Sequence, residues 1–478
     1  MGSRSPKFDV KKVAIIGAGP SGLSAVTYLL AQEAFQSIVI YEQNSEVGGV
    51  WHYSARPSET LHVPQVSPFI QPDPPIRPDG VPPIFPTPLY DKLNTNVTRD
   101  LIHLSALPFR KDSAIFPSRQ HVGQYLVRYA DAIRHLIKLS TQVKDIRLRV
   151  ENGKDQWDLE STSTVTGKST TTTYDAIVVA SGHYSTTYIP DVKNIAQFHQ
   201  AYPGVITHSK LYRSPTSFSG KKVIVVGNSA SGLDIGNQIS RVSQQPLLWS
   251  VRTPTPPENQ HWITGDELPE IVEFLVKERG VKFKNGRIEK DVDAIVYATG
   301  YLFSLPFLNS FRPSLLTDGR RVYGLYKDLF HINHPTLVFA GLPIRVNPWT
   351  FSESQAAIYS RVWANQLPLP SVEHMEQWEK DEEKKRGPKF HVWPRGADID
   401  FVNSTHEWIA RSGTSGRVPP KWSDYVLWQK SILLEARWQF EIQGRVAKSL
   451  EELGFIYRPK KCTLDELDRL QIHLHLTL

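Results

Sequence analysis

Lys11 to Gly22 reads KKVAIIGAGPSG, a β-branched apolar run that ends in Gly17-x-Gly19-x-x-Gly22 and passes into a helical pattern over Leu23–Leu30. A strand that feeds a glycine loop and then a helix can hold a pyrophosphate. The glycines permit a tight turn and close backbone approach, and the start of the helix offers free N–H groups to the anion. Gly17, Ala18, Gly19, Pro20, Ser21 and Gly22 are therefore candidate dinucleotide-binding residues. A second apolar run, Ile38–Tyr41, ends at Glu42. That carboxylate lies about 20 residues past the last glycine, where it can accept hydrogen bonds from a ribose.

The pattern returns at Lys221 as KKVIVVGNSASG, with Ser229 in place of the middle glycine and a helix expected from Leu233 to about Val242. Gly227, Ser229, Ser231 and Gly232 are the candidates in this loop, and Asp234 follows in its helix. The next apolar run, Leu247–Val251, closes on Ser250 and Arg252 where the first copy has Glu42. A carboxylate there would repel a ribose 2′-phosphate, whereas an arginine pairs with it. The first loop thus suits a cofactor with a free ribose hydroxyl, such as FAD, and the second NADPH. A plain surface arginine is the other reading of Arg252.

A third echo supports duplication. DAIVVASG at Asp175–Gly182 matches DAIVYATG at Asp293–Gly300, and an aromatic follows each within two residues (Tyr184, Tyr301). Each reads as a buried strand that closes a nucleotide-binding unit. The expected fold is α/β, with two Rossmann-like dinucleotide-binding domains and the NADPH domain inserted into the FAD domain. The boundaries are 1–208 for the first part of the FAD domain, 209–302 for the NADPH domain, and 303–478 for the second part with a helical C-terminal cap. The proline-rich stretch between Trp51 and Asn96 resists helix and central strand, and reads as a long ordered loop. Charged and aromatic residues alternate helically over Glu376–Lys385 and Tyr425–Ala436, and Asp381–Arg386 reads as a solvated helix face.

Bulk properties exclude several classes. The 478 residues are 40% hydrophobic and 22% charged, enough for two or three folded domains. No apolar run approaches the ~20 residues of a membrane helix, and no integral membrane association is expected. The single cysteine, Cys462, fits a reducing compartment, so a cytoplasmic location is expected. It also argues against the flavin disulfide reductases, which need a cysteine pair. No Cys/His cluster has metal spacing, and no metal is expected. The net charge of +7 is spread along the chain, so nucleic acid is not an expected partner. A small-molecule substrate is, and a homodimer is left open.

These motifs together resemble the flavin-containing monooxygenases, the class B flavoprotein monooxygenases of fungal and plant type, over at least residues 12–360. Gly17–Gly22, Glu42 and then Gly48-Gly49-Val50-Trp51 look like the family's FAD half, which adds Gly49, Val50 and Trp51 to the candidates. Tyr202-Pro-Gly204-Val-Ile-Thr-His208-Ser-Lys-Leu-Tyr212 resembles its fingerprint, F-x-G-x-x-x-H-x-x-x-[YF], with Tyr for the leading Phe. The resemblance implies that His208 holds the two domains in register. Tyr90-Asp-Lys-Leu-Asn-Thr95-Asn96 resembles the motif that carries an active-site asparagine, and Phe116-Pro-Ser-Arg119 fits the same pattern. Asn96 is thereby the catalytic candidate, with Thr95 beside it at the cofactor. Glu353 and Gln355 resemble the segment that brings a helix end to the flavin ring.

What the family implies is an FAD- and NADPH-dependent monooxygenase. It forms a flavin C4a-hydroperoxide, shielded by bound NADP⁺ and Asn96, and oxygenates a soft nucleophile, an amine nitrogen or a sulfide sulfur. Related Baeyer–Villiger enzymes typically end the fingerprint in Trp-Pro, where this chain has Tyr212-Arg213. Ketone insertion is the alternative reading. A non-catalytic dinucleotide-binding redox sensor is the competitor from outside enzymology.

Overall fold

The computed structural model describes residues 7–459, so Cys462 lies outside the described residues. Both glycine-loop strands have parallel neighbours on either side, as their unbroken apolar runs require. Lys12–Ile16 lies between Ala176–Val179 and Ser37–Tyr41 in a seven-stranded sheet. Leu337–Phe339 and Ile137–Lys138 extend it on either side, and two short antiparallel strands, Leu325–Tyr326 and Phe330–His331, finish one edge. Val223–Val226 lies between Leu247–Ser250 and Ala294–Tyr297 in a five-stranded, wholly parallel sheet that Gly265–Leu268 and Ile206–His208 complete. The second sheet thus comes from one continuous stretch of chain. The first comes from segments on both sides of that stretch.

Two crossings join the sheets. Thr186–Thr187 and Tyr301–Leu302 pair antiparallel as a short ribbon. The His208 ring fastens it: Nδ1 accepts from the Lys210 N–H at 3.1 Å, so the proton sits on Nε2, which donates to the Gly300 carbonyl at 3.1 Å. Full burial pushes the His208 pKa down to about 3, so the ring is a neutral strut.

The chain between Trp51 and Arg99 contains isolated bridges but no helix or strand, in keeping with its prolines. It is nonetheless pinned. Buried Lys210 pairs with Asp73 at 2.6 Å, and Arg213 donates to the Ser54 and Thr87 carbonyls. The C-terminal region is helical, with Val372–Arg386, Ala397–Arg411 and Asp424–Ile442 after the buried helix Pro348–Trp363. The expected solvated face at Asp381–Arg386 needs one correction. Arg386 turns inward to Asp328, a fully buried carboxylate, at 3.1 Å, because that charge needs a partner. Among the described residues no helix is long and apolar enough to cross a membrane.

Candidate functional site

The two glycine loops are geometric copies. Gly17 N–H donates to the Tyr41 carbonyl at 2.8 Å, and Gly227 N–H to that of Ser250 at 2.9 Å. Gly17 and Gly227 have φ of +104° and +111°, the region that favours glycine. A Cβ on Gly22 would stand 1.9 Å from the Gly17 carbonyl oxygen, and one on Gly232 would stand 2.2 Å from that of Gly227. Only a bare backbone lets each helix start this close to its strand. Gly19 and Ser229 have φ of −78° and −91°, ordinary for any residue. That is why serine can replace the middle glycine in the second copy. Pro20 occupies the first turn of its helix, where its missing N–H costs nothing. Both loops therefore have the bare-backbone geometry that fits a dinucleotide pyrophosphate.

The residues around the first loop are tightly engaged. Glu42 is 4% exposed; one oxygen accepts from the Ala18 N–H at 2.9 Å and the other from Asn44. Burial pushes its pKa up, against those hydrogen bonds. Gly49 lies against Gly19, so the turn that carries Gly49, Val50 and Trp51 abuts the loop. Ser21 bonds Ser352 at 2.8 Å, and Gln355 Oε1 accepts from the Gly341 N–H at 2.9 Å. Helix Pro348–Trp363 is thus fastened to the first loop. Glu353 on that helix accepts from the Ser105 N–H and hydroxyl, and burial pushes it up to about 7.

A cleft of ≈ 1480 Å³ opens beside the second loop. That exceeds the ~300–1,000 Å³ of ordinary small-molecule pockets. It brings together Val50, Trp51, Thr95 and Asn96 with Gly227, Ser229, Ser231, Asp234 and Arg252. Gly17–Gly22, Glu42, Gly49, Gly232 and Gln355 do not line it. Asn96 is exposed to the cleft, and its segment is clamped from behind: Thr95 N–H donates to the Pro117 carbonyl at 2.9 Å and Asn94 Nδ2 to that of Phe116 at 2.9 Å. Arg252 is exposed after its strand and has no ion pair among the described residues. Asp234 is different. Tyr90 and Gln238 donate to one of its oxygens, and Arg437 and Arg445 to the other. Among the described residues no group of three or more His, Cys, Asp or Glu is arranged for a metal ion.

A family model described as flavin-binding monooxygenase-like matches residues 86–256 and 266–416. This chain belongs to that family. It is accordingly a flavin-dependent monooxygenase with FAD and NADPH as its cofactors. A second model, an NAD(P)-binding Rossmann-like domain, matches residues 15–70, the first glycine loop. A thiol-specific monooxygenase of Saccharomyces cerevisiae is 30% identical over 417 residues, covering 84% of this chain and 85% of that protein. The flavin-containing monooxygenase GS-OX-like 4 of Arabidopsis thaliana is 31% identical over 380 residues, 76% of this chain and 78% of its own. Among solved structures, an S-allyl-L-cysteine S-oxygenase from Allium sativum superposes with a TM-score of 0.74 at 23% identity, covering 94% of this chain and 98% of that one. Cyclohexanone monooxygenase shares the fold at 14% identity with a TM-score of 0.52, covering 86% of this chain and 99% of its own.

Several residues of this flavin-binding monooxygenase's cleft are not among the sequence candidates. Tyr184 and Tyr301, the aromatics after the two closing strands, meet edge to face at 5.5 Å within it. Their matched positions were the available signal. Leu433 and Arg437 reach it from the C-terminal helix Asp424–Ile442, and no local pattern marks a helix that will cover a distant loop.

Proposed function

We propose that the enzyme transfers one oxygen atom to a soft nucleophile, sulfur or amine nitrogen, of a small molecule, with FAD held on Gly17–Gly22 and NADPH on Gly227–Gly232. In this reading 1–208 and 303–478 are the FAD domain and 209–302 the NADPH domain, to whose sheet Ile206–His208 lends one strand. The observation that carries it is the shared cleft, where Trp51 and Asn96 face the second glycine loop and Arg252. Bound FAD, reduced by NADPH, supplies the activation of dioxygen. The chain supplies position. The loop N–H groups receive each pyrophosphate, and Arg252 receives the 2′-phosphate. The Asn96 amide, two donors and one acceptor, orients the polar groups that meet at the cleft. Tyr184, Tyr301 and Trp51 exclude water there. Sulfur is favoured because a thiol-specific monooxygenase and an S-oxygenase are among the similar proteins. The test is NADPH consumption and product mass with thiols, sulfides, amines and ketones. Addition of one oxygen to sulfides or amines is expected. Ester formation from ketones alone would overturn the reading.

A further inference from the structure

Two cations of the cleft lie apart from the second glycine loop and are left unpaired among the described residues. Most charges along the cleft are already matched. Lys193 pairs with Glu273 at 2.7 Å, and Glu270 with Lys284 at 3.4 Å. Arg320 pairs with Asp318 at 3.6 Å and donates to the Tyr188 hydroxyl at 3.0 Å. Asp234 is held by Arg437 and Arg445. Arg345 and Lys389 are exposed cleft-lining cations with no ion pair or side-chain hydrogen bond among the described residues. Neither lies on the sheet that carries the second glycine loop.

The two cations share one wall. Ile344 and Val392 form a parallel bridge, with Ile344 N–H on the His391 carbonyl at 2.7 Å and Trp393 N–H on the Ile344 carbonyl at 3.1 Å. The Phe303 ring lies 5.1 Å from that of His391 and gives this wall an apolar floor. Arg345 has φ of +66°, a conformation that arginine adopts at a cost and that a surrounding structure must enforce. Asn347, two residues on, donates to the Leu101 carbonyl, so the wall is tied to the segment that follows Asn96. Asp191, an acid of the cleft without an ion pair among the described residues, lies beyond it on the segment bridged to Glu273.

We propose that Arg345 and Lys389 form an anion subsite for the oxygenated substrate, which therefore carries a carboxylate or a like-charged group next to an apolar body. The inference rests on the soft-nucleophile reading above and deepens it. A guanidinium and an ammonium over an apolar floor suit a carboxylate, the first by paired hydrogen bonds and the second as a point charge.

The FAD-loaded enzyme should be assayed with a matched pair, 4-(methylthio)benzoate and 4-(methylthio)benzamide. Three measurements are needed: kcat/KM for each sulfoxide, KM for NADPH, and direct binding of each probe by calorimetry. The wild type should favour the carboxylate about five- to tenfold, mostly through KM and binding, since the subsite is partly solvated. The Arg345→Gln, Lys389→Gln double variant should bring that ratio to about one. A wild type without preference, or a ratio unchanged in the double variant, overturns the subsite. A rise in KM for NADPH with the ratio intact means the cations read a dinucleotide phosphate, and also overturns it. If neither probe is oxygenated but the carboxylate binds more tightly through both cations, the subsite stands and the soft-nucleophile reading falls.

Discussion

At the scale of single residues, the two loops make opposite demands testable on one molecule. A side chain on Gly22 would collide with the Gly17 carbonyl, and one on Gly232 with that of Gly227, so either helix must move away from its pyrophosphate. Gly22→Leu is expected to lose FAD, read as visible absorbance per protein. Gly232→Leu should keep the flavin and raise KM for NADPH; flavin loss from the second variant instead would reverse the assignment. Arg252→Ala should raise KM for NADPH several-fold, up to about tenfold, while KM for NADH barely moves. Equal losses with both cofactors would show that Arg252 does not read the phosphate. Asn96→Ala removes a side-chain amide while Thr95 and Asn94 still hold the segment to Pro117 and Phe116, so the fold should survive. NADPH consumption should continue while product falls and hydrogen peroxide rises. Undiminished coupling in a peroxide assay would remove Asn96 from the site.

At the scale of elements, helix Pro348–Trp363 carries a pH-dependent load. Glu353 is pushed up to about 7 in the folded protein from 4.5, chiefly by burial. Between those values the folded state holds a proton that the unfolded chain has lost. Stability from this group is therefore present below pH 4.5 and declines as pH rises to about 7, by up to roughly 3 kcal/mol. Glu353→Gln should gain stability relative to the wild type across that window in urea midpoints measured from pH 5 to 8. A constant difference would mean that Glu353 stays ionised throughout.

Elements of this kind also mark where the sequence was legible. The glycine loops, their strands and the closing strands could be read because each is local: an apolar run, a turn that only glycine permits, a helix start. The meander Thr141–Glu151, Lys154–Ser163, Ser169–Tyr174 also has a local signal, the Asn152-Gly153 hairpin turn with Trp157 and Leu159 alternating inward, but no motif that ties it to the site. Spacing alone marks Glu42 as a ribose acceptor. Its bonds to Ala18 and Asn44 depend on how deeply the loop closes over it, which spacing does not encode.

At the scale of the whole molecule, one buried network ties the second-loop helix to two distant stretches of chain. Asp234, on the second-loop helix, accepts from Tyr90 of the proline-rich loop and from Arg437 and Arg445 of the C-terminal region. Glu441 shares those arginines at 3.2 and 2.6 Å. Three distant stretches of chain meet at a carboxylate that the sequence marks only as following a glycine loop. Tyr90 lies six residues before Asn96, so the network also anchors the segment that leads to Asn96. In Asp234→Ala, Tyr90 loses its acceptor and two arginines are left to one carboxylate. Breaking a buried ion pair from one side costs about 3–5 kcal/mol, and the Glu441 that remains should hold the loss near the lower end. The expected result is a clear drop in melting temperature, an NADPH-dependent rise in peroxide, and unchanged flavin content, because the first loop is untouched. Asp234→Asn, which keeps an acceptor for Tyr90, should recover part of the melting temperature. If instead KM for NADPH rises in both variants with no thermal change, Asp234 contacts the dinucleotide itself and the clasp lies elsewhere.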